Sequence, residues 1–369
     1  QGYNIVLPLF VYWLMKNYLD KRPFSFHQPD ITLSPLWTPD RLFTSPLFIS
    51  LAVSLPLIFS GIIKLAMSTE IFSFDLVVWS LIITVGASIS FSIFLILSAY
   101  PKLKLRREIV QIEEEFIEAS YILGKELHRG LPIEHALRDA IVKIKELKIL
   151  NFFEKILYNI QTFGMTFESA VFDEDFGAIK DYPSRLIDTI MKVLVEVSRR
   201  GTEYVAESMM TISSYLKDVL RVEEGLKDMM EETVSSMKVQ TLLLAPITSG
   251  FIVTITAIML KMMLYLKDAL AKMYSYASAA GNIGVGILNS IVNINKMMPI
   301  YVFQLCVGFY LLETVATIAI FLSLIENGEE NILKRMEVGK TLLLSTFIYS
   351  IVLLLTLFGL NALMPVIMV

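Results

Sequence analysis

Glu313 stands near the middle of an apolar run, residues 300–325, that carries no other charge. An ionisable group at mid-bilayer depth costs about 2.5–3.5 kcal/mol on insertion scales unless it faces protein or water. Two roles fit such a carboxyl. It can offer a polar contact to a partner helix, or serve a proton-linked step. It can equally be a protonated side chain hydrogen-bonded to Thr254, Thr256 or Gln304.

Elsewhere reactive residue types occur without reactive spacing. Gly339-Lys340-Thr341 has the last residues of a phosphate-binding loop, but Lys334 occupies the place of the leading glycine and an apolar run follows instead of a strand-to-helix turn. The chain is not expected to bind ATP. Ser214 and Lys217 have Ser-x-x-Lys spacing but lie mid-helix without companion motifs. His27, His128 and His135 form no metal-ligand pattern. Asp173, Glu174 and Asp175 read as a solvated loop, with a divalent ion or a partner as the alternative. Glu113-Glu114-Glu115 cannot all face one side of a helix, so part of that run is exposed. The sequence predicts no enzyme, no cofactor and no metal.

These residues sit on a strongly segregated chain of 369 residues with mean hydropathy +0.62. Apolar runs near 46–67, 76–100, 241–263, 300–325 and 341–360 each reach the roughly 20 residues that a helix needs to cross hydrocarbon. Between the second and third lie residues 101–239, with 20 of the 32 Lys/Arg and 25 of the 36 Asp/Glu. Acidic and basic residues alternate within this block and the whole chain has net charge −4, which excludes an electrostatic nucleic-acid footprint and suits a protein partner. Cys306, the single cysteine, can form no intrachain disulfide.

Lys102, Lys104, Arg106 and Arg107 follow the second run directly, which by the positive-inside rule puts the block in the cytoplasm. Lys334, Arg335 and Lys340 put the linker between the last two spans on the same side. The predicted segments are an N-terminal interfacial or cytoplasmic stretch (1–45), two spans (46–100), a cytoplasmic helical domain (101–239), a span (240–263), an external or re-entrant segment (264–299) and two spans joined by a cytoplasmic linker (300–369). If residues 277–294 crossed the membrane, they would be a sixth span. The start at Gln1, without an initiator Met, points to a processed product or to part of a longer chain.

Within the block, Ile109, Ile112, Phe116, Ala119, Leu123 and Leu127 recur at helical spacing, as do Val205, Met209, Ile212, Leu216 and Val219 further on. No segment alternates as a strand would. Shorter helices are predicted at 152–163, 166–172 and 185–200, the last capped by Ser184. Thr202 is the expected N-cap of a long helix that feeds into the third span, with Gly225 a possible bend and Pro246 at the span's start. The fold class is thus all-α: a polytopic membrane protein with about five transmembrane helices and one cytoplasmic antiparallel helical bundle. Gly130-Leu131-Pro132-Ile133-Glu134 parallels Gly164-Met165-Thr166-Phe167-Glu168, with Gly201-Thr202-Glu203 a looser echo. This is a glycine turn followed by a helix start, which is common helix-turn-helix punctuation.

The Gly130–Leu137 turn, the Arg199-Arg200-Gly201 turn into a long helix, and the closing linker Ile325-Glu326-Asn327-Gly328-Glu329-Glu330 together resemble the type II secretion F-domain family over residues 100–360. Members of that family are assembly platforms of type II secretion systems, type IV pili and archaeal flagella; the linker looks more like the archaeal branch. The resemblance implies a non-enzymatic scaffold in the cell (inner) membrane. Such a scaffold receives movement from a cytoplasmic secretion ATPase, helps pilin-like subunits leave the lipid, and forms a dimer or other homo-oligomer. The implied docking residues are Arg106, Arg107, Arg199, Arg200, Glu326, Glu329, Glu330, Lys334 and Arg335, with Glu313 as an intramembrane polar contact. A transporter or channel with a cytoplasmic regulatory helical domain is the alternative. It would need more midplane polar residues than the one clear ionisable group.

Overall fold

The computed structural model describes residues 45–67, 73–182, 184–277, 298–328 and 330–367, together with Phe10, Trp13 and Asn17. The described chain is all-α, and five of its helices are long and apolar enough to cross a membrane, so the protein is of the multi-pass type. Its helices are α1 (Pro46–Ala66), α2 (Phe74–Leu127), α3 (Ile133–Lys143), α4 (Leu150–Phe163), α5 (Phe167–Phe172), α6 (Arg185–Ser198), α7 (Thr202–Val239), α8 (Ala245–Ala277), α9 (Ile300–Asn327) and α10 (Asn331–Ile367). A 3₁₀ turn (Ala178–Asp181) follows α5, and a π-helical turn (Gln240–Leu244) joins α7 to α8. The chain divides into two compact units, one built on the apolar helices and one on residues 100–232. The predicted interfacial stretch 1–45 and the low-charge stretch 277–294 fall almost wholly outside the described residues.

Hydropathy boundaries are not helix boundaries here. The second apolar run ends at Tyr100, yet α2 continues through Pro101 to Leu127. Pro246, at the start of the third apolar run, starts no helix; it lies inside an unbroken run of helix from Thr202 to Ala277. Proline has no N–H and clashes with the carbonyl four residues back, so it interrupts an α-helical ladder. The π turn lies directly before it, and there the Ala245 N–H reaches back five residues to the Gln240 carbonyl. Thr202 is the first residue of α7, not the residue that caps it. The third predicted span also runs on: α8 extends into the segment read as external or re-entrant.

The unit of apolar helices is held by close approach and by buried hydroxyls, since burial of apolar surface does little where the solvent is itself hydrocarbon. Ser80, Thr84, Ser88 and Ser92 form one stripe on α2, each at most 1% exposed. Ser88 shares a hydrogen bond of 2.7 Å with Thr346 of α10, and Thr254 of α8 one of 2.6 Å with Thr356. Gln304 of α9 donates to Thr84 at 3.4 Å. A Cβ added at Gly308 would lie 2.5 Å from the Thr84 methyl carbon, which is closer than real contacts come.

The other unit has a conventional core, in which Phe116, Phe152 and Phe153 stack or meet edge to face at centroid distances of 5.3–6.2 Å. Ile187, Met191 and Leu194 of α6, and Val205, Ala206 and Met209 of α7, pack on the same core. Gly130, Gly164 and Gly201, the three glycines of the sequence echo, all have positive φ (78°, 61° and 121°) and precede α3, α5 and α7. L-residues with a Cβ rarely adopt this backbone, so the echo marks chain reversals that need glycine. Phe116→Ala should lower the stability of the full-length protein by about 3–5 kcal/mol. Gly308→Val should lower it by about 1–3 kcal/mol through overpacking. Unfolding in detergent followed by circular dichroism checks both.

Candidate functional site

Within the unit of residues 100–232, three buried or half-buried acidic side chains act as supports. Glu113 is 2% exposed. It accepts a hydrogen bond of 2.5 Å from the Ser184 hydroxyl, whose oxygen in turn accepts from the Ile187 N–H and so caps α6. Glu115 accepts from the Ile149 N–H ahead of α4, while Glu114 stays exposed. Glu126, 2% exposed, closes the Gly130 turn by pairing with Lys143 across it and with Arg129 at 2.8 Å. These two cations, Lys143 first, hold its carboxyl below the usual carboxylate range. Asp173 accepts from the backbone N–H groups of Phe176 and Asp175, which also lowers its pKa, so its role is to shape the loop. Among the described residues no three His, Cys, Asp or Glu groups converge in a way that could hold a metal.

Four of the basic residues assigned to docking, Arg106, Arg107, Arg199 and Arg200, belong to this unit. Arg107 and Arg200 are exposed and Arg106 is half-buried. Arg199 follows α6 and pairs with Glu168 at 3.3 Å and Glu196 at 3.8 Å.

In the unit of apolar helices, the linker expected between the last spans is mostly helix. Gly328, at φ 67°, ends α9, and α10 begins three residues later; Lys334, Arg335 and Lys340 are therefore helical. Glu329 lies outside the described residues, and Glu330 precedes α10. Glu326 pairs with Lys238 at 2.5 Å, two residues before the π turn. This pair stands at the rim of a cleft of about 270 Å³. Three helix faces line it at helical spacing: Lys238, Thr241 and Leu242; Ala319, Leu322, Ser323 and Glu326; and Glu337, Lys340, Thr341 and Leu344. A second, looser pair, Lys340 with Glu337 at 3.8 Å, completes a rim of two cations and two anions over an apolar floor. Of the predicted docking residues only Glu326 reaches this cleft. Lys340 and Thr341, which complete no phosphate-binding loop, line it, while Gly339 beside them packs against Ile96.

Glu313 lies on α9, half-buried, next to exposed Phe309 and Tyr310. The partners expected for it are committed elsewhere: Thr254 to Gly250 and Thr356, Thr256 to the Ile252 carbonyl, and Gln304 to Thr84 and Tyr349. Compared with known proteins, the chain matches no family model, no curated protein and no solved structure.

Glu126 generates a prediction about acid. With a folded-state pKa below the unfolded value of about 4.3, its contribution is complete above that value and disappears as pH falls through the folded pKa. The thermal stability of the full chain should therefore fall below about pH 4.3, and Glu126→Gln should flatten that part of the profile. Lys143→Met should cost about 1 kcal/mol at pH 7, as expected of a half-exposed charge-assisted hydrogen bond.

Proposed function

We propose that this protein is a membrane assembly platform for a type IV pilus-like filament, an archaeal flagellum or a secretion pseudopilus. On this reading it couples a cytoplasmic ATPase to the insertion of pilin-like subunits. The observation that carries the reading is the chain's architecture: five apolar helices and one charged helical unit, with α2 and the run from α7 through α8 passing from charged into apolar sequence without a break. A helix resists bending away from glycine or proline, so these runs can transmit a push or a rotation, with Pro101, Gly225 and Pro246 the places where they can flex. The glycine-turn echo and its resemblance to F-domain sequences support the same reading. In it, residues 100–232 face the cytoplasm, the membrane is the cell membrane, and the exposed Arg107 and Arg200 meet acidic groups of the ATPase.

The buried Ser80–Ser92 stripe and Gln304 are the features that favour a transporter. Ser88 bonds to Thr346 and Gln304 to Thr84 across helices, as glue between spans would, while Ser80 bonds within its own helix. Affinity purification from native membranes should recover a secretion ATPase and pilin-like subunits with the full-length chain. Arg107→Glu with Arg200→Glu should weaken ATPase recovery about tenfold at low salt and less at high salt. Reconstituted liposomes should show no solute or ion flux; flux together with absent ATPase would favour the transporter.

A further inference from the structure

The cleft at Lys238, Glu326, Glu337 and Lys340 has a chemistry of its own that follows once the five apolar helices cross a bilayer, whatever the protein assembles. The charged rim lies where the apolar runs stop: Lys238 precedes the run at 241–263, Glu326 follows the run at 300–325, and Lys340 precedes the run at 341–360. The floor of Leu242, Ala319, Leu322 and Leu344 lies within those runs. The cleft therefore straddles the boundary between headgroups and hydrocarbon, where an amphiphile fits and a water-soluble ligand would leave the floor bare.

The rim selects the head. Two lysines and two glutamates sum to zero, so a net-anionic head would meet two carboxylates and a simple cation two ammonium groups. A zwitterion with its phosphate and its amine apart meets both. Each lysine has three N–H donors and gives one to its glutamate, which leaves donors for phosphate oxygens. The glutamates accept hydrogen bonds and therefore favour a primary ammonium. A quaternary ammonium is recognised by aromatic faces, and no aromatic side chain lines this cleft.

A second, independent observation concerns Ser323. It is 1% exposed, and its hydroxyl has no hydrogen-bond partner. Five other buried side-chain atoms among the described residues share that state, but Ser323 is the one that lines the cleft. A buried hydroxyl left unpaired is costly, and a phosphate oxygen beside it would remove that cost. The neighbouring π turn contributes Thr241 and Leu242 to the lining; such turns within α-helices are frequent at functional sites.

We propose that this cleft binds a zwitterionic aminophospholipid. The phosphate lies on Lys238, Lys340 and the Ser323 hydroxyl, the ammonium on Glu326 and Glu337, and one acyl chain along Leu242, Ala319, Leu322 and Leu344. Bound in this way, the lipid bridges the start of the third span and the two helices that close the chain.

Native mass spectrometry of the full-length protein, loaded in turn with phosphatidylethanolamine, phosphatidylcholine and phosphatidylglycerol of one acyl composition, tests this. Phosphatidylethanolamine should be retained about tenfold better than either of the others. Glu326→Gln with Glu337→Gln should erase that preference, while Lys238→Gln with Lys340→Gln should weaken retention of all three. Leu344→Trp, which fills the floor from a position already half exposed, should block retention and serves if the charge variants do not fold. Equal retention of the three lipids, a preference for phosphatidylglycerol, or variants that behave as wild type would overturn the proposal. None of these outcomes depends on whether an ATPase or a pilin binds.

Discussion

A helix in hydrocarbon must close its backbone hydrogen bonds within itself, because no water is there to take them. Pro246 breaks that rule at the entrance to the third span, since it has no N–H to give. The chain keeps its helix by widening one turn ahead of the proline, so that the Ala245 N–H reaches the Gln240 carbonyl. Much else depends on this accommodation. It keeps α7 and α8 in one helical run, and two residues of the widened turn, Thr241 and Leu242, line the cleft. Lys238, which binds Glu326 of α9, sits two residues before the widened turn. A displacement carried along α7 would reach this pair and this turn before it reached the span proper.

The two units solve the problem of cohesion differently because their solvents differ. Residues 100–232 use apolar burial, with Phe116, Phe152 and Phe153 at the centre and ionised Glu126 paired at a turn. The apolar helices gain little from hiding leucine in lipid. They use close contact at Gly308 and hydroxyl-to-hydroxyl bonds at Ser88–Thr346 and Thr254–Thr356. Glu313 stands apart from that bonding, on a face with exposed Phe309 and Tyr310.

Much of the helix content was legible because periodicity and hydropathy are local signals. The ends of α4, α5 and α6 lie within two residues of their predicted positions, and Ser184 caps α6 as its place in the sequence suggests. The positive φ of Gly130, Gly164 and Gly201 gives the faint sequence echo a physical meaning. What escaped was whatever depends on two distant segments meeting. Nothing near Lys238 announces Glu326, and the hydrogen bond from Ser184 to Glu113 joins residues 71 apart in sequence. The serine and threonine stripe at 80, 84, 88 and 92 was visible in principle, since a four-residue step puts small polar groups on one face, but an apolar average hides it. Boundaries failed where hydropathy changes and the backbone does not, as at Pro101 and Pro246.

We propose one arrangement above all: a charged helical unit in the cytoplasm, carried by membrane spans. Site-directed labelling reads it directly. With Cys306 replaced by serine, cysteines placed at the exposed positions Glu118 and Lys192 are treated in intact cells with a membrane-impermeant maleimide. The account predicts no labelling until the cells are opened and full labelling afterwards. Labelling of either position in intact cells would place the unit outside and contradict it.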